Sequence, residues 1–115
     1  MSILSKPIEY LKHIRDECEY VIQKSQDLTK EVFLGDETIK RAFVRSIEII
    51  GEASKKVPDE YKSQHQNIQW KEMAGMRDVL IHGYFGINYN IVWDVVTSHL
   101  PDLYKDISNL ILEEE

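Results

Sequence analysis

Apolar residues recur along most of this chain at steps of three and four. Ile8, Leu11, Ile14, Cys18, Val21 and Ile22 mark one face of a first helix, and Pro7 suits its first turn, where a missing N–H does no harm. Asp36 is a good N-cap for a second helix with Glu37 in its first turn. That helix carries Ile39, Ala42, Phe43, Ser46, Ile49, Ile50, Ala53 and Val57 on one stripe, and Pro58 ends it. Residues 59–68 read as a polar connection with room for one short helical turn. A third helix is predicted from Trp70 to His82, with Trp70, Met73, Ala74, Leu80 and Ile81 as its stripe and Arg77 inside that stripe. Gly83 and Gly86 break the pattern. Asn88 or Asn90 caps a fourth helix with Ile91, Val92, Val95 and His99, and Pro101 breaks or kinks it. A last helix holds Leu103, Ile107, Leu110 and Ile111, ahead of a frayed Glu113–Glu115 tail. No alternating, period-two pattern persists, so the expectation is all-α: an up-and-down bundle of four to five helices in one domain over residues 1–115.

Composition narrows the function without naming one. The chain has 115 residues, 43% hydrophobic and 30% charged, which fits a globular domain and excludes a disordered one. A lone cysteine, Cys18, excludes an intrachain disulfide and a cysteine-based zinc site, and its place on the apolar stripe marks it as an inert core residue. No apolar run exceeds three residues, so neither a membrane span nor a signal-peptide core is expected, and a cytoplasmic protein is the default. The net charge of −6 argues against a broad nonspecific grip on nucleic acid, while leaving room for a small local cationic site.

Such a site is suggested by Gly75-Met76-Arg77-Asp78-Val79-Leu80-Ile81-His82-Gly83-Tyr84-Phe85. Asp78 and His82 stand at i and i+4, where a carboxylate can orient an imidazole and favour its charged form. Arg77 and His82 are about 140° apart on an ideal helix. Arg77 therefore needs its length, or a second subunit, to converge with His82. Tyr84 follows the helix-ending Gly83. On spacing alone, a helix end whose cations complement the dipole explains the segment as well as a catalytic site does.

Other patterns are weaker. Glu9, His13 and Glu17 share a helix face, an arrangement that serves a solvated surface as readily as a metal. No Glu-x-x-His pair exists, and Asp78 with His82 lacks a third ligand, so no metal is assigned. Arg41, Arg45, Glu48, Glu52 and Lys55 form a mixed-charge stripe on the second helix, ordinarily a solvent face. Gly51 and Gly75 cost helix stability, and close approach of helices is their expected benefit. Trp70 and Trp93 read as core or dimer anchors, and His65 and His99 as surface or satisfied histidines.

The pattern Arg77-x4-His82-x-Tyr84 resembles the RX4HXY signature of HepT-like toxins, within the HEPN superfamily of helical ribonucleases. The likeness extends to Ile47-Glu48-Ile49-Ile50-Gly51-Glu52-Ala53, to Trp70 with Met73–Asp78, to Tyr84-Phe85-Gly86-Ile87, to Ile91-Val92-Trp93 and to Leu100-Pro101-x-Leu103. It spans about residues 5–112, with no departure at the motif positions. The resemblance implies a HEPN-like helical fold and a metal-independent endoribonuclease toxin that works as a homodimer and needs no cofactor. It further implies an MntA-like nucleotidyltransferase antitoxin that silences the toxin by transferring AMP to the motif tyrosine. Carried onto this chain, Arg77 and His82 are catalytic and Tyr84 is the modified residue. Asp78 is a supporting group, and Arg45 or Glu52 extends the cleft of RNA contacts. The competing readings are a non-catalytic helical module that docks or presents substrate to a nucleotidyltransferase, and a purely structural helical dimer.

Overall fold

The computed structural model describes residues 6–80 and 86–115. Helix α1, Pro7–Ser25, starts with its proline in the first turn and buries Leu11, Ile14, Cys18 and Val21. These are the stripe residues its spacing predicts. They pack between α3, Glu37–Lys56, and α8, Leu100–Glu114, so the core lies among three long helical segments. Asp36 caps α3 as expected, its carboxylate accepting from the Ile39 N–H at 3.0 Å. Helix α3 ends at Lys56, just ahead of Pro58. The described residues bear out an all-α fold.

Three differences from the sequence pattern have physical causes. The first is α2, Lys30–Gly35, which has only one buried residue and so no stripe to reveal it. Thr29 caps it by accepting from the Val32 N–H, and Phe33 inserts between Phe43 and Trp93, with ring centroids 5.3 and 5.2 Å away. The polar connection does hold one short helix, α4, Asp59–Gln64. Its Tyr61 stacks on His65 and meets the edge of Trp70, whose indole N–H donates to the His65 carbonyl.

The second difference falls on the third predicted helix, which is broken. It consists of α5, Trp70–Ala74, and α6, Met76–Leu80, separated by Gly75 at φ −90°, ψ 0°. The two glycines also differ in role. A Cβ on Gly51 of α3 would stand 3.3 Å from the Met73 carbonyl oxygen and 3.5 Å from that of Ala74, so close helix approach holds there. A Cβ on Gly75 would meet its nearest atom, the Lys71 oxygen, at an ordinary 3.5 Å, so the expected benefit fails for that residue.

The third difference lies at Pro101: of the expected break or kink, the break does not occur. Helix α7, Tyr89–Asp94, passes through a π-helical turn, Val95–His99, directly into α8. In a continuous α-helix the proline ring would meet the carbonyl four residues back, at Thr97. The wider turn, in which the Leu100 N–H bonds to the Val95 oxygen, relieves that collision. The acidic tail is solvated but not frayed, since α8 runs to Glu114.

Gly51→Val should lower the unfolding free energy by about 1–3 kcal/mol, because the added atoms press on backbone that cannot rotate away. Gly75→Ala should stay within about 0.5 kcal/mol of the parent, since φ is negative and the space is there. Urea denaturation of both variants measures the contrast, and equal losses would contradict it.

Candidate functional site

The described part of helix α6 has two very different faces. Leu80 is buried and fixes it to the core, while Arg77 and Asp78 are exposed. The turn begins where the Asp78 N–H donates to the Gly75 carbonyl at 3.0 Å. Arg77 does not simply project into water. Its Nε donates to Oε2 of Glu48 on α3 at 2.9 Å, across 29 residues of sequence. Among the described residues this is the only ion pair that joins two helices; Arg15–Asp16 and Lys40–Glu37 are local.

The location follows from the packing below it. Gly51 brings α3 against the carbonyls of Met73 and Ala74. One turn back along α3 stands Glu48, and one turn on from Ala74 stands Arg77. Arg45 and Glu52 flank Glu48 on the same face of α3, both exposed. Among the described residues neither makes an ion pair with Arg77; the α3 side chain that reaches it is Glu48. Its place in a mixed-charge stripe gave no reason to choose it over its neighbours, because that choice depends on where α5 crosses α3.

His82 and Tyr84 lie outside the described residues, and so do the expected Asp78–His82 contact and the offset between Arg77 and His82. What brackets them is described. The Asn88 N–H donates to the Leu80 carbonyl at 2.9 Å, joining the chain on either side of residues 81–87. The Asn88 side chain also accepts from the Asn90 and Ile91 N–H groups and caps α7. Gly86 sits at φ +77°, which favours glycine. Helix α3 holds both flanks: Glu48 engages Arg77 before the segment, and the Lys40 ammonium lies 4.6 Å from the Tyr89 ring centroid after it.

Other candidates sort into structure. Trp70 is buried and Trp93 packs against the core, so both serve the fold. Cys18 is fully buried, and burial, with a lesser contribution from Glu17, pushes its thiol up to about 12, so no reactive thiolate forms near neutral pH. His65 is satisfied, its Nδ1 lying 3.0 Å from the Tyr61 carbonyl, and His99 is exposed. Among the described residues no group of three or more His, Cys, Asp or Glu side chains is placed to hold a metal ion. A groove of about 500 Å³ runs between α5, the π-turn and α8. It includes Met76 but not Arg77, and its rim carries Glu72, Asp102 and Asp106, a poor seat for a phosphate. No described helix is long and apolar enough to cross a membrane.

Residues 8–110 match the family model described as Ribonuclease HepT-like. The chain is 45% identical over 112 residues to "Putative RNase TTE0752" of Caldanaerobacter subterraneus subsp. tengcongensis, covering 97% of this chain and 100% of that one. It is 41% identical over 95 residues to "Probable ribonuclease HepT" of Thermococcus cleftensis, covering 83% of this chain and 86% of the relative. No solved structure matches.

The Arg77–Glu48 pair is 55% and 27% exposed, and pairs in that setting add little stability. Glu48→Ala should shift the unfolding free energy by less than about 1 kcal/mol. Thermal melts read the shift. A larger loss would make the pair a structural strut.

Proposed function

Because the chain belongs to the HepT-like ribonuclease family, we propose that it is a metal-independent endoribonuclease toxin, acting in the cytoplasm as a homodimer on RNA. The observation that carries the reading is Arg77. It is a half-exposed guanidinium held at a helix end five residues before a histidine, in a chain of net charge −6. An acidic protein that holds an arginine five residues before a histidine is suited to a single phosphate rather than to a length of backbone.

The chemistry needs no metal because RNA supplies its own nucleophile. The 2′-oxygen forms a bond to phosphorus, the bond from phosphorus to the 5′-oxygen breaks, and a 2′,3′-cyclic phosphate remains. One neutral His82 takes the 2′-hydroxyl proton, and a charged His82 from the second subunit gives a proton to the departing 5′-oxygen. Arg77 stabilises the crowded anionic phosphorane. Two imidazoles in opposite states are needed at once, and a two-fold axis supplies them. Asp78 orients His82, and Arg45 and Glu52 extend the cleft along α3.

Control runs through Tyr84. A nucleotidyltransferase antitoxin directs the Tyr84 phenolic oxygen onto the α-phosphorus of ATP. Pyrophosphate leaves, the phenolic proton goes to solvent or to the partner's base, and AMP stays on the tyrosine. The new phosphodiester carries about one negative charge and competes with RNA for Arg77.

Purified protein should cleave RNA in the presence of chelator and leave 2′,3′-cyclic phosphate ends. Arg77→Ala and His82→Ala should each lower the rate by about 10²–10⁴-fold with the helical circular dichroism unchanged. Sedimentation should report a dimer. A parent protein that binds the nucleotidyltransferase but cleaves no RNA would favour the docking-module reading instead.

Incubation with the antitoxin and ATP should add AMP at Tyr84, located by peptide mass spectrometry. Tyr84→Phe should stay toxic when the antitoxin is co-expressed. An adduct on Tyr89 or Tyr104, or full protection of cells carrying Tyr84→Phe, would overturn this route of control.

A further inference from the structure

We propose that Glu48 is a positioning residue for Arg77: it grips Nε so that the two Nη amino groups face outward to one phosphate. The inference rests on the ribonuclease reading above and deepens it. A guanidinium offers five N–H donors in a rigid fork, one on Nε and four on the Nη nitrogens. The contact to Glu48 at 2.9 Å goes through Nε alone. Among the described residues the Nη nitrogens make no hydrogen bond, and the side chain is 55% exposed. Among the described residues nothing occupies the end of the fork that suits bidentate phosphate binding, while the near edge is held.

Holding it matters because Arg77 stands just past the break at Gly75 and its side chain is half-exposed. A long, half-exposed side chain has many rotamers, and ordering it at the moment of reaction would slow the reaction. Glu48 stands on the 20-residue α3, whose distance from α5 is set by backbone at Gly51, one turn away. The anchor thus comes from a rigid part of the molecule. The carboxylate also carries a cost, since its charge opposes an incoming phosphate. A residue kept there despite that cost should act on turnover rather than on substrate capture.

The test uses the full chain and compares parent, Glu48→Ala and Glu48→Gln in steady-state RNA cleavage. Glu48→Ala removes the acceptor and should lower kcat about tenfold or more, with KM changed less than about threefold, as expected when an interaction is used in the transition state. Glu48→Gln keeps an acceptor oxygen without the charge and should restore most of that loss. The pH limbs of the rate profile should stay in place in both variants, because Glu48 carries no proton in the reaction. Glu48→Ala with kcat at or above the parent's overturns the proposal, as does Glu48→Gln as slow as Glu48→Ala, or a lost pH limb. A second readout needs no turnover. In ¹⁵N-resolved NMR the Arg77 Nε–H should exchange slowly in the parent and in Glu48→Gln, and quickly in Glu48→Ala; fast exchange in the parent overturns the proposal. A parent that cleaves while Glu48→Ala is unimpaired removes only the role of Glu48. A parent that does not cleave removes the ribonuclease reading and this role with it.

Discussion

Everything about this site depends on how near α5 can come to α3, and that distance is set at Gly51. With a hydrogen where other residues carry a Cβ, Gly51 lets the backbone carbonyls of Met73 and Ala74 come within 3.3 and 3.5 Å of where that Cβ would stand. Backbone-to-helix contact of this kind has no side chain to rotate out of the way, so it acts as a fixed spacer. One turn further on it leaves Glu48 and Arg77 within 2.9 Å of each other.

The family membership and this geometry bear on different questions. Similarity over residues 8–110 concerns what class of chemistry the chain is built around. The geometry concerns how an acidic protein can present positive charge at one point. The charge contrast is local: carboxylates rim the groove beside Met76, and the neighbouring Arg77, which does not line it, pairs with Glu48 on α3. Long-range attraction for RNA is weak in such a field, which leaves recognition to short-range contacts.

The long elements were legible in the sequence because each buries one continuous stripe. Leu11, Ile14, Cys18 and Val21 on α1, and Phe43, Ser46, Ile50 and Ala53 on α3, lie inside as their spacing requires, while Ile47 is buried off that stripe and Ile49 on it is only half-buried. The Asp36 and Asn88 caps were legible for the same local reason, since a cap needs only its own next turn. The short α2 was not, because one phenylalanine makes no period. The break at Gly75 and the absence of one at Pro101 were not legible, because the rules for both are statements about ideal α-helix, and the chain uses a bridge-region residue at one place and a π-turn at the other. Arg77 and Asp78 stood out by their spacing to later residues. Glu48 did not, since nothing in a stripe of five mixed charges says which one a distant helix will meet.

The hydrogen bond from the Asn88 N–H to the Leu80 carbonyl works as a clasp on the chain. It closes a short ring at its base, and the same Asn88 starts the next helix, so both ends of residues 81–87 are tied to elements that the core already holds. Gly86 and Ile87 are bound to the fold as well, the one by its positive φ and the other by packing on the core. Sequence change just before and after the clasp is therefore felt by the scaffold itself.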